Sequence, residues 1–210
     1  MKHRSMCITY EVEGSLYVNV TNRCSNRCTF CIRNNGDGAY GSDSLWLERE
    51  PTVDEITESI LSRDVPRYSE IVFCGYGEPS YRLADIRTVA LRVKEKYPST
   101  RIRINTNGQS DLILGINSAP LYKDAFDSIS ISLNAPNAAE YAEICLPVYG
   151  ESAFDSILRF AGEVIKYVPD TRFSVVGEFL SPESLEECKR LSREISVPLR
   201  IREYIGPDEK

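Results

Sequence analysis

Polar and apolar residues alternate along several short stretches of this chain. In 128–134, Ser128, Ser130, Ser132 and Asn134 interleave with Ile129, Ile131 and Leu133. Arg103, Asn105 and Asn107 alternate with Ile102 and Ile104, and Tyr17, Asn19 and Thr21 oppose Leu16, Val18 and Val20. Arg200, Arg202 and Tyr204 oppose Leu199 and Ile201. A period of two predicts strands, here at 16–21, 70–74, 101–105, 128–134, 172–177 and 199–203. Between them a helical period predicts helices near 53–63, 83–97, 137–145 with 152–167, and 182–194. Thr52 with Glu55 forms a capping box, and Ser181-Pro182 opens the last helix. Segment 111–126 reads as a short helix plus loop. Residues 7–12 precede Glu13-Gly14 and are placed to form a hairpin with the first strand.

Strand–helix alternation implies parallel crossovers of one hand, and hence an α/β fold. A parallel sheet covered on both faces shows continuous apolar strands, yet at least four strands here have a polar face. Helices would cover the apolar side, leaving the polar side to line something wet or liganded. A closed eight-stranded barrel fills its interior with branched aliphatics. The expectation is therefore a partial, open (β/α)6 TIM-like barrel with an N-terminal β-hairpin extension. The competing reading, an antiparallel sheet with one solvated face, fits the intervening helices poorly.

Composition narrows this further. The 210 residues predict one domain, 1–210, with 42% hydrophobic and 27% charged residues. No run reaches the ~20 apolar residues of a membrane span, and no signal peptide is recognisable, so the cytoplasm is expected. Seven cysteines, an odd number, with Cys7, Cys74, Cys145 and Cys188 scattered, predict reduced thiols. A net charge of −6 disfavours broad nucleic-acid binding. Arg23, Arg27 and Arg33 are either a local basic pocket or solvated loop residues. The single histidine, His3, reads as a disordered-end residue. Proton transfer would then fall to Tyr, Asp, Glu, Lys or Cys.

The chemistry concentrates in Cys24, Cys28 and Cys31, directly after the first strand and spaced Cys-x3-Cys-x2-Cys. Structural zinc takes four ligands in most sites, and an ordinary four-iron cluster takes four thiolates. Three close cysteines suggest a cluster with one iron left open to a small molecule.

Cys24-Ser25-Asn26-Arg27-Cys28-Thr29-Phe30-Cys31 resembles the signature of the radical S-adenosylmethionine (SAM) superfamily. The flanking Tyr17–Cys24, Cys31–Asn34 and Leu45–Thr52 stretches are similar to its TatD family-associated members. The resemblance implies that the three thiolates hold three irons of a [4Fe–4S] cluster and that methionine's amino and carboxylate groups chelate the fourth. Reductive cleavage of SAM would then give a 5′-deoxyadenosyl radical that removes hydrogen from a substrate. It also implies an external electron donor such as flavodoxin or ferredoxin. Gly75-Tyr76-Gly77-Glu78-Pro79 is similar to the superfamily's Gly-Gly-Glu-Pro, with Tyr76 in place of one glycine. Asn105-Thr106-Asn107-Gly108 and Ser132-Leu133-Asn134 are similar to its later strand-end motifs. Phe30, Tyr76, Gly77, Glu78, Asn105, Asn107, Ser132 and Asn134 become cofactor-binding candidates. For several of them turn formation or capping is the competing role.

Arg202 and Tyr204 share the inward parity of the last strand and are the substrate-contact candidates. Arg202 would grip a carboxylate or phosphate, or else pair with Glu203. The segment Gly36–Gly41, with Asp37, Tyr40 and nearby Trp46, reads as either a lid or a surface loop. Only 206–210 follow the last strand, which leads to the expectation of no auxiliary-cluster domain. An open barrel of this size would be closed by a large substrate or a partner protein. Two alternatives stay open: an activase of a glycyl-radical partner, and a non-enzymatic metal module in which Cys7 or Cys74 completes a zinc site.

Overall fold

A computed structural model describes residues 3–206. Strands β1 (Thr9–Val12), β2 (Ser15–Val18), β3 (Ile71–Phe73), β4 (Ile102–Thr106), β5 (Ser128–Ser132), β6 (Asp170–Val176) and β7 (Leu199–Arg202) form one sheet in sequence order. β1 and β2 are the expected antiparallel hairpin, joined through Glu13 and Gly14 at positive φ. All later pairs are parallel. The crossovers carry α1 (Val53–Leu61), α2 (Leu83–Lys96), α3 (Ser110–Leu114), α4 (Ala138–Cys145), α5 (Ser152–Val164) and α6 (Pro182–Ile195). The Thr52–Glu55 capping box and the Ser181 cap are both present.

The predicted parity decides the layering. Leu16, Val18, Phe73, Ile104, Ile129, Ile131 and Phe173 are fully buried against Ile56, Ile60, Ile86, Val89, Ile157 and Phe160 of the helices. The register aligns the other face as Tyr17, Val72, Arg103, Ser128 and Asp170, with Asn105, Ser130 and Arg172 one step further along. This sheet does not close on itself. It curls nevertheless: Asn35 Nδ2 donates to Tyr204 Oη and to Ile205 O, both at 3.2 Å. Residues near the start and end of the sheet order thereby meet.

Four strands are shorter than predicted, and two of them, β2 and β5, stop where a polar residue takes over. β2 ends at Val18 because Asn19 N–H donates to Ile8 O and its Nδ2 to Leu45 O at 2.8 Å. β5 ends at Ser132; beyond it Leu133 and Asn134 both donate to Ser174 O, and Asn134 adopts φ +57°.

The glycine-bearing segment after the cysteines is neither a loose loop nor a free lid. Ala39 and Leu45 pack with Tyr10, Val12 and Tyr76 in a second small core, which covers the polar face at the β1–β2 end. His3 belongs to the same strap: its N–H donates to Asp37 and its carbonyl accepts from Ser44 Oγ. Its main chain is therefore held, contrary to the expectation of a disordered end. No helix among the described residues is long and apolar enough to cross a membrane.

Candidate active site

The three cysteines lie in the loop after β2, and that loop is seated on the end of α4. Arg27 N–H donates to Cys145 O at 3.0 Å, Thr29 N–H to Ile144 O at 2.9 Å, and Val148 N–H to Ser25 O at 2.8 Å. A helix leaves its last carbonyls without internal partners; here the cysteine loop supplies the donors. Side chains complete the seat. Asn26 Nδ2 and Gln109 Nε2 both donate to Tyr141 Oη, at 2.8 and 2.9 Å, and Gln109 Nε2 also reaches Asn26 Oδ1. All three residues are buried, and their mutual hydrogen bonds specify one arrangement, with Gln109 Oε1 alone left without a donor. Gln109 sits just beyond the Asn-Thr-Asn-Gly run, but no local pattern marked Tyr141.

The loop also rests on the turn after β3. An added Cβ at Gly77 would lie 2.2 Å from Thr21 O and 2.6 Å from Arg23 O, so only glycine lets the two backbones pass. At Gly75 the space a Cβ would fill belongs to Asn19, whose Oδ1 would be 2.1 Å away.

Each predicted site residue now has a position. Glu78 is buried, and its carboxylate accepts from Thr106 Oγ1 (2.7 Å), Asn107 N–H (2.7 Å) and Ser80 N–H (3.0 Å). It thus ties the end of β3 to the end of β4. Burial raises its pKa, with the Asn107 and Thr106 donors opposing. Asn107 Nδ2 donates to Ser25 Oγ, and its Oδ1 accepts from Gln109 N–H. The Tyr76 hydroxyl lies 2.9 Å from both Gly36 O and Gly38 O, and its ring meets Trp46 edge-on. Tyr76 therefore faces the strap. Asn105 Oδ1 accepts from Arg103, while Ser132 stays half-exposed beside Ser174 on the polar face. Asn134 Oδ1 is buried with no donor, and its Nδ2 points to Cys145 Sγ at 3.8 Å. Phe30 packs at a tilt against Phe179, which meets Tyr204 edge-on, at 4.9 and 5.2 Å between centroids. Arg202 Nε is buried without an acceptor.

Arg33 is built into the loop, reaching Asn26 O at 3.0 Å and Tyr76 O at 3.4 Å. Arg23 instead pairs with Glu50 at 2.8 Å. Burial pushes the Cys24 thiol up to about 12, with Glu78 adding to the rise. A hydrogen bond with Cys145, then burial, raises Cys28 further.

Among the described residues no three Cys, His, Asp or Glu side chains stand close enough to share one metal ion. Cys7 Sγ turns to Thr9 O, and Cys74 faces Asn105 and Arg103. A four-iron cluster asks for something else, one thiolate per iron.

The model of the radical SAM superfamily matches residues 18–192. This chain belongs to the radical SAM superfamily. No curated protein sequence matches it. Among solved structures it is similar to a radical SAM methyltransferase from Sphaerobacter thermophilus, at 17% identity and TM-score 0.64, over 95% of this chain and 70% of that one. It is also similar to SuiB of Streptococcus suis bound to the precursor peptide SuiA, at 16% identity and TM-score 0.67, over 91% of this chain and 39% of SuiB. Native anSMEcpe with bound AdoMet matches at 17% and TM-score 0.63, over 91% of this chain and 51% of that one. The radical SAM chain thus spans between two fifths and about two thirds of these neighbours' lengths.

The superfamily's enzymes use a [4Fe–4S] cluster and SAM, and the residues present fit both groups. Three reduced thiols share one short loop, and Asn26 N–H already donates to Cys24 Sγ at 3.4 Å. Asn134 Oδ1 offers an unused buried acceptor on a residue that contacts Cys145, where the cysteine loop is seated.

Proposed function

We propose that this radical SAM enzyme abstracts hydrogen from a substrate lying on the polar face of its open sheet. Cys24, Cys28 and Cys31 are the cluster ligands in this reading. When bound, the cluster and SAM would supply a 5′-deoxyadenosyl radical on one-electron reduction by an external donor such as flavodoxin or ferredoxin. The chain's residues orient these groups and exclude water. The Gly77 backbone, Ser132 and Asn134 face SAM, as does the amide nitrogen of Asn105, whose oxygen is held by Arg103. Phe30 shields the loop through its packing against Phe179. Glu78, Asn107 and Tyr76 are positioning residues, since their side chains are engaged by neighbouring protein groups.

The observation that carries the reading is the seating of the three-cysteine loop, by backbone and side chain, where the polar strands end. The words Tyr17–Cys24 and Leu45–Thr52 support the TatD family-associated group as its subfamily. SuiB's structure with a precursor peptide supports a large substrate or partner on the open side. Anaerobic reconstitution should give iron and acid-labile sulfide near four each per chain, as expected for a four-iron cluster. Dithionite should then release 5′-deoxyadenosine from SAM, and deuterium should pass into it from a labelled substrate pool. Zinc without sulfide would end the proposal.

A further inference from the structure

By register or alternation, Arg103, Arg172, Arg200 and Arg202 belong to the polar face of the sheet. Arg103 is neutralised by Glu70 at 2.8 Å, and Arg172 by Asp170. Arg200 is exposed. Arg202 differs from all three. It is half-buried, and its Nε is wholly buried with no acceptor. Among the described residues no acid pairs with its guanidinium. Its surroundings are Cys74, Tyr40 and Tyr17, all neutral near pH 7, together with the like charge of Arg200. Tyr17 comes from β2, so the curl of the sheet brings it toward the last strand.

A partly desolvated cation without a counter-charge is unfavourable unless something compensates it. Tyr40 is held at φ +54°, an uncommon conformation for a bulky side chain, with its phenol near this cation. The guanidinium is donor-only, each phenol can still donate, and none of these neighbours carries a negative charge to face the cation. One unpaired positive charge matches one carboxylate better than a doubly charged phosphate.

We propose that Arg202, flanked by Tyr17 and Tyr40, is the subsite for a carboxylate group of the substrate, the two oxygens lying along Nε and one terminal nitrogen. This rests on the hydrogen-abstraction reading and narrows the substrate class to carboxylic acids. The site is separate from the strand ends assigned above to SAM.

Acetate is the probe, with acetamide as its neutral counterpart, on anaerobically reconstituted protein saturated with SAM at fixed ionic strength. At 100 mM, acetate should slow phenylglyoxal labelling of Arg202 about fivefold relative to acetamide, as a dissociation constant of roughly 25 mM requires. Acetate should also raise the thermal midpoint of the wild type. That rise should vanish in Arg202→Met and shrink in Arg202→Lys, which keeps charge but loses the planar fork. An equal rise in wild type and Arg202→Met overturns the subsite. So does a response seen in a parallel sample without SAM and lost when SAM is added, because Arg202 would then hold the methionine carboxylate. A response seen only in the Asp208→Asn/Glu209→Gln variant also overturns it, since the chain's own tail would be the occupant. Phosphate protecting better than acetate overturns the choice of carboxylate. Iron and sulfide, measured in the same samples, report separately on the cluster reading.

Discussion

The two ends of the sheet's polar face are built on opposite rules. At the amino ends of the strands, charge is closed: Arg103 meets Glu70, Arg101 meets Asp170, and Arg172 meets the same aspartate. At the carboxyl ends, polar atoms are left over. Asn19 Oδ1, Gln109 Oε1, Asn134 Oδ1 and Arg202 Nε are all buried and unpartnered, and each lies at or just past the end of a strand. Folding leaves few such groups, because each forgoes its hydrogen bonds to water. Their accumulation at one end separates a region organised for stability from one organised for ligands, as the carboxyl ends of barrel strands generally are.

The contrast breaks most sharply at the cysteines. Cys31→Ala should abolish iron and sulfide binding, measured after anaerobic reconstitution, while Glu70→Gln should leave both intact. Next in size is Glu78→Gln, which turns one acceptor of three donors into a donor. It should cost about 3 kcal/mol in urea unfolding and lower cluster retention through the displaced Asn107–Ser25 contact.

The third test compares signs. Glu70→Gln should destabilise by about 1–2 kcal/mol, because the pair is only partly buried. Arg202→Met should instead raise the unfolding free energy in urea, by about 1 kcal/mol, since it removes an uncompensated cation. A loss of stability in Arg202→Met would erase the difference between the two ends.

The smallest effect lies away from both. Arg49, then the Thr52 N–H, hold Glu55 at a pKa of about 2, below the usual 4.5. A depressed carboxylate stabilises the fold above its unfolded pKa and loses that contribution as pH falls. Urea midpoints of wild type and Glu55→Gln should therefore converge between about pH 4.5 and 2.

Much of this contrast was legible in the sequence, for a physical reason. Strand parity is local, so Ser128–Asn134 and Ile102–Asn107 revealed both faces, and the hairpin and caps followed from turn chemistry. The cysteine loop was legible because its three cysteines are close together in sequence. Its seat was not: Tyr141, Cys145 and Gln109 act across more than eighty residues, and no periodicity encodes such a meeting. Glu78 and Tyr76 illustrate the remaining gap. A motif names the residue, but only packing shows that the carboxylate faces Thr106 and Asn107 and that the phenol faces the strap.

The seat of the cysteine loop has a consequence for biosynthesis. The thiols leave the ribosome early, whereas the carbonyls of Ile144 and Cys145 and the amide of Val148 that dock their loop emerge well over a hundred residues later. Until then the nascent loop lacks these partners. On the proposed ligand set, metal insertion would follow translation of the fifth strand and fourth helix.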